Sequence, residues 1–96
     1  MRVVWHAEAE QEFIQAAEFY DARVPGLGAA FIEAVDGTVA QIAEDPERFP
    51  TVDEDLQRAR VSRFPYCVYF RRLADSLRIL VVRHHSRHPD YWKNRR

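Results

Sequence analysis

The residues best suited to chemistry crowd into one stretch, Arg83-His84-His85-Ser86-Arg87-His88-Pro89-Asp90-Tyr91-Trp92, which holds three of the four histidines. Histidine exchanges protons near neutral pH, and arginine grips phosphate oxygens as a bidentate fork. Tyrosine and tryptophan can stack on bases while packing one edge into the protein. Three readings stay open on these residues alone. The first is a nucleic-acid-directed site, a nuclease included, built from His85, Arg87 and Tyr91 with the strand arginines Arg58 and Arg60. The second is a metal site from His84, His85 and His88. Adjacent histidines on a strand point to opposite faces, and no cysteine or well-placed carboxylate completes a ligand set, which counts against it. The third is a strand end carrying a packed Trp92 and solvated histidines.

Other constellations carry less. Glu8, Glu10 and Glu12 could pair as carboxylates, but acids in the first turns of a helix are ordinarily solvated partners of its dipole. Asp53, Glu54 and Asp55 lack the alternating ligands and glycine of a calcium loop. Cys67 alternates with Tyr66 and Val68 inside a strand with no base beside it in sequence, and reads as a small buried hydrophobe. There is no glycine-rich phosphate loop, zinc-finger spacing or Ser-His-Asp signature, and no cofactor is expected.

The elements that must position these residues follow from periodicity. Val3-Val4-Trp5 reads as a short strand. Ala9, Phe13, Ala16, Ala17 and Tyr20 then form one stripe of an amphipathic helix. Val24-Pro25-Gly26 stops it, and Leu27, Phe31, Ala34, Val35, Thr38 and Ile42 share the face of a second helix. Gly37 marks either a close helix contact or nothing. Asp45-Pro46 ends this helix, because the residue before proline is pushed from the helical region. Residues 47–55 read as a loop. Beyond it, Arg58, Arg60 and Ser62 alternate with Ala59 and Val61, Phe64-Pro65-Tyr66 links two strands, and Tyr66 to Arg72 is the next strand. Leu73 to Ser76 makes a turn before a last strand from Leu77 to about His85. There, Ile79, Leu80, Val81 and Val82 predict cover on both faces. Pro89 to Arg96 is expected to add one helical turn. The fold expected is α+β, in the order β-α-α-β-β-β, with a helix hairpin on one face of a small, mostly antiparallel sheet.

A length of 96 residues supports one domain, 1–96, with one core. Hydrophobic residues at 47% and charged residues at 30% exclude a disordered tail. No apolar run spans a bilayer, and Glu8, Glu10 and Glu12 stand where a signal peptide would be apolar. A single cysteine fits a reducing cytoplasm and excludes an internal disulfide. The net charge of -1 conceals a division. Residues 1–55 carry three basic against 13 acidic side chains, a net of -10, and residues 56–96 carry 11 basic against two acidic, a net of +9. The basic half either faces a polyanion or acidic partner, or is neutralised by the acidic half across the fold.

Several strings, in order, resemble the RelE/ParE superfamily of bacterial type II toxins over nearly the whole chain. They are the acid-rich first helix with Phe13 and Phe19-Tyr20, the Pro25-Gly26-Leu27-Gly28 turn before Phe31, and Asp45-Pro46-Glu47-Arg48-Phe49-Pro50. Arg63-Phe64-Pro65-Tyr66, Tyr69-Phe70-Arg71 and His84-His85-Ser86-Arg87 with Pro89, Tyr91 and Trp92 continue the series. The wording of the Phe64-Pro65-Tyr66 and Arg87-x-Pro89-x-Tyr91-Trp92 segments is closer to the ParE side. The resemblance implies a cytoplasmic toxin that inhibits growth and stabilises plasmids. It implies neutralisation by a cognate antitoxin in a toxin–antitoxin hetero-oligomer, with no membrane partner. ParE-like members poison DNA gyrase, whereas RelE-like members cut messenger RNA on the ribosome without a metal. In the RelE pattern His85, Arg87, Tyr91 and Arg60 would be the catalytic set. On either side Arg58, Arg60, Arg83, Arg87 and Trp92 would contact the target or a nucleic acid. The near absence of lysine, only Lys93, departs from the strongest nuclease pattern. A non-toxic binding module that kept the fold is the rival from another class.

Overall fold

The His6 ring accepts a hydrogen bond at Nδ1 from the Glu8 backbone N–H at 3.1 Å. That contact caps the first helix in the computed structural model, which describes residues 1–86, 92, 94 and 95. Strand β1 (Arg2–Trp5) precedes α1 (Ala7–Arg23) and α2 (Leu27–Glu44). A 3-10 turn (Pro46–Arg48) and strands β2 (Thr51–Asp53), β3 (Leu56–Arg60), β4 (Tyr66–Arg72) and β5 (Ser76–His84) follow. The sheet runs β1-β5-β4-β3-β2, with β1 parallel to β5 and every other pair antiparallel. The expected α+β order therefore holds, with one addition. The stretch read as a loop contains β2, whose three residues are all exposed and so show no alternation of burial.

The two predicted helical stripes form the interface with the sheet. Ala9, Ala16 and Ala17 from α1 and Phe31, Val35 and Ile42 from α2 pack on Ala59, Val61, Val68, Phe70, Leu77, Ile79 and Val82. Phe31 is the hub, with ring centroids of Tyr20, Phe64 and Tyr66 at 5.2, 5.1 and 4.9 Å. The turn between the helices is built by Asp21. Its Oδ1 accepts from the backbone N–H groups of Gly26 at 3.0 Å and Gly28 at 3.2 Å, satisfying donors that α2 leaves open. The close helix contact is at Gly28, where an added Cβ would stand 2.6 Å from the Ala17 carbonyl oxygen. Gly37, the candidate from sequence, has nothing within 4 Å of such a Cβ.

One irregularity decides what the other sheet face looks like. Between Tyr69↔Val81 and Phe70↔Ile79 the register of β4 and β5 shifts, leaving Leu80 as an extra residue on β5. The run of four apolar residues is thereby split in two. Ile79 and Val82 lie under the helices, while Leu80 and Val81 join Leu56, Cys67 and Tyr69 on the far face, with Trp92 packed against them. Cover on both faces of β5, expected from its composition, is met in this way. The expected helical turn from Pro89 falls mostly outside the described residues.

Candidate functional site

Alternation along three neighbouring strands gathers the predicted basic residues. With Ala59 and Val61 under the helices, Arg58 and Arg60 project from the far face of β3. The register then sets Arg60 opposite Cys67, and Cys67 opposite Arg83, in one row across β3, β4 and β5. Arg58 lies opposite Tyr69 in the next row. These residues and His85 line an open cleft of about 210 Å³, and among the described residues no carboxylate lines it. Among the described residues neither Arg58 nor Arg60 has an ion-pair partner.

Each wall is held from behind. Arg83 Nη1 donates to the Tyr69 hydroxyl at 2.8 Å, and its guanidinium carbon lies 5.9 Å from the Tyr69 ring centroid. The His85 backbone N–H donates to the Pro65 carbonyl at 2.9 Å, tying the residue to the loop before β4. His85 Nε2 then stands 3.3 Å from Cys67 Sγ. Cys67 is therefore buried as expected but is not alone, since the fold supplies the base that the sequence did not place beside it. Burial pushes the thiol upward from its ordinary value, and the nearby positive charges of Arg58, Arg60 and Arg83 pull against that. The cleft is thus arranged to hold negative charge, with a neutral thiol on its floor.

His84 points the other way, as adjacent strand residues must. Its ring meets Tyr66 edge-on at 5.1 Å, and its Nδ1 accepts from the Ser86 backbone N–H at 3.0 Å. With Glu12, Phe19 and Tyr20 it borders a second groove of about 340 Å³ between α1 and the end of β5. Phe19 is 51% exposed there. His84 and His85 consequently belong to different sites. Arg87 and Tyr91 lie outside the described residues, as does His88. Trp92 packs against Tyr69 with ring centroids 5.1 Å apart and the planes tilted by 33°.

Sequence reasoning missed a third feature. β1 pairs with β5 only as far as Ile79, so among the described residues the β5 edge beyond it has no neighbouring strand. Side chains take that place: Glu12 Oε1 accepts from the Val82 N–H at 3.1 Å, and Arg95 Nη1 donates to the Leu80 carbonyl at 3.0 Å. Arg95 also forms a bidentate pair with Glu12, at 2.9 and 3.0 Å, and meets Glu8 at 3.1 Å. Glu12 is therefore not the solvated dipole partner expected. A signal for it existed, because Glu12 lies three residues after Ala9 and four before Ala16, on the buried stripe. Nothing in the sequence around Arg95 announced its role.

A helix hairpin on one face of a five-stranded sheet, with a basic cleft on the other, defines a small α+β domain with one covered and one open sheet face. The chain is similar to a solved structure described as the chromosomal ParDE toxin–antitoxin system from P. aeruginosa, at 15% sequence identity and a TM-score of 0.77. The match covers 88% of this chain and 95% of that one. No curated protein matches by sequence. The family model for the ParE toxin of the type II toxin–antitoxin system parDE matches residues 3–89, and the chain belongs to that family. It is a type II toxin, as the resemblance on the RelE/ParE strings implied. None of the described helices is long and apolar enough to cross a membrane.

Proposed function

We propose that this toxin arrests bacterial growth by acting on DNA gyrase and is neutralised by a cognate antitoxin. The observation that carries the reading is the cleft of Arg58, Arg60, Arg83 and His85, lined by no carboxylate among the described residues, on the sheet face that the helices leave uncovered. Membership of the ParE family favours gyrase as the target, and a basic surface suits a protein–DNA complex. The neutralising chain is expected to bring acidic residues to this face and an apolar side chain to the groove beside Phe19.

The test is induction in a bacterial host, with and without the small open reading frame adjacent to the gene. Growth arrest with DNA breakage, rescued by the neighbour, supports the proposal. Arrest with messenger cut inside codons instead supports ribosome-dependent RNA cleavage. The observation favouring that second reading is the placement of His85 and Arg60 in one cleft. Replacing His85, Arg87 and Tyr91 singly would then abolish cleavage while the fold persists. Unimpaired growth at high expression would leave a binding module that kept the fold.

A further inference from the structure

We infer that Ser86 and His84 form a nucleophile–base pair in the groove between α1 and the end of β5, able to take the acyl group of a neutral aryl ester. The pair lies apart from the basic cleft, because His84 and His85 serve different faces of the sheet.

The end of β5 builds the pair. The His84 ring is set edge-on against Tyr66, its partner across the sheet, with centroids 5.1 Å apart and planes at 86°. The next residue is drawn to the loop before β4, since the His85 N–H donates to the Pro65 carbonyl at 2.9 Å. Ser86 follows in the turn and comes back onto His84. Its backbone N–H donates to His84 Nδ1 at 3.0 Å, and its Oγ lies 2.8 Å from the same nitrogen. A backbone N–H can only donate, so Nδ1 carries the lone pair and the proton of the neutral ring sits on Nε2. Facing that lone pair, the Ser86 hydroxyl is placed to give up its proton, within the reach a general base needs. The main chain sets the tautomer here, a task that falls to a carboxylate in a Ser-His-Asp arrangement.

The surroundings suit an aromatic substrate. Ser86 is exposed and His84 half-buried. Both line the groove of about 340 Å³, whose walls include the rings of Phe19, Tyr20 and Tyr66. Flat apolar walls pack against a flat aryl group. Burial pushes the Tyr20 phenol above its ordinary 10.0, which keeps that wall uncharged. Glu12 also borders the groove, with its carboxylate already bound to Arg95 and the Val82 N–H. The groups facing His84 are thus Tyr66 on β4, Glu12 and Tyr20 on α1, and Ser86 beyond its own strand.

The step balances without a further reactant. Ser86 Oγ attacks the acyl carbon while His84 Nδ1 takes its proton. The Oγ–acyl bond forms, the acyl–oxygen bond to the aryl group breaks, and the aryl oxide leaves with the electron pair. The imidazolium then returns the proton to that oxide, giving a phenol and an O-acylated serine.

Mixing the full chain with 4-nitrophenyl acetate tests this. Absorbance follows the released 4-nitrophenolate, and peptide mass spectrometry locates the acetyl group. The expected result is acetyl on Ser86, gained at a rate that levels off once the imidazole is neutral. An unassisted hydroxyl would keep accelerating by about tenfold per pH unit. His84→Asn keeps an acceptor for the Ser86 N–H but removes the base, and should slow Ser86 labelling by about 100-fold or more. Ser86→Ala should leave only slow background on the Met1 amine and Lys93. Phe19→Ala should raise the half-saturating ester concentration roughly 2- to 12-fold with the limiting rate unchanged. Acetyl confined to the Met1 amine and Lys93 in the wild type would overturn the inference. Equal labelling of Ser86 in a His84→Asn variant that melts like wild type would also overturn it. Where that variant melts lower, the wild-type pH profile decides, and a Ser86 rate that never levels off rejects His84 as the base.

Discussion

Replacing Glu12 by alanine should be the most damaging single change outside the aromatic core. The carboxylate holds the bidentate Arg95 guanidinium and the Val82 N–H on the β5 edge beyond β1. The side chains are 16% exposed for Glu12 and 8% for Arg95, so the pair is largely removed from water. Breaking a buried pair by deleting one partner costs about 3–5 kcal/mol, mostly as an uncompensated charge. Glu8 remains 3.1 Å from Arg95 and offsets part of this, although it is itself exposed. The expected loss is therefore about 2–4 kcal/mol, or a melting point lower by roughly 10–25 °C for a domain this small. Urea unfolding followed by circular dichroism measures it. Arg95→Met should cost less, since Glu12 would keep the Val82 N–H and gain water from the adjacent groove. The double variant should show a coupling of about 1–3 kcal/mol. A Glu12→Ala cost below about 0.5 kcal/mol, the ordinary range for a surface change, would refute the reasoning, as would additive single effects.

Three further outcomes follow from local geometry. Gly28→Ala should destabilise by about 1–3 kcal/mol through overpacking against the Ala17 carbonyl and Asp21. Gly37→Ala, in open space within the same helix, should stabilise by about 0.5–1 kcal/mol, and paired thermal melts compare the two. The Cys67 thiol, raised by burial above its ordinary 9.0, should be alkylated by iodoacetamide with a rate still climbing beyond that pH. Arg60→Gln should move this profile higher, because one of the charges that lower the thiol is lost. Asp55 is held below its ordinary 3.8 first by the Arg71 hydrogen bond. A depressed carboxylate contributes stability above that pH and loses it as pH falls through the lower folded value. Asp55→Asn should therefore differ slightly from wild type at neutral pH and converge with it in acid, as read from unfolding midpoints.

Periodicity made much of this legible, and its failures have physical causes. The helical stripes succeeded because a helix packed on a sheet must bury one face, and Ala9, Phe31, Val35 and Ile42 could be read directly. Alternation likewise placed Arg58 and Arg60 opposite Ala59, and separated His84 from His85. β2 was not legible, because an exposed edge strand buries neither face and leaves no pattern. The Cys67–His85 contact was invisible for a different reason. It depends on strand register across 18 positions, together with the hydrogen bond from His85 to Pro65. Arg95 joins Glu12 across 83 positions, and no local spacing encodes such a pair.

The net charge of -1 acquires a meaning once both sheet faces are considered. Asp55 with Arg71, Glu47 with Arg72, and Glu8 and Glu12 with Arg95 neutralise charge between the halves of the chain. Cross-fold neutralisation and a basic surface are therefore both present, in different places. Exposed Glu10, Glu18, Glu33 and Asp36 keep the helix hairpin acidic, while Arg58 and Arg60 remain on the opposite face. Opposed fields of this kind orient an encounter before contact, since the hairpin repels a polyanion that the cleft attracts. An antitoxin that set acidic side chains against Arg58 and Arg60 would occupy the same charges the proposed target would meet. The two would then compete, each raising the other's apparent Kd by a factor set by its own concentration over its own Kd. Neutralisation would consequently need no change in the toxin's conformation, only occupancy of its basic face.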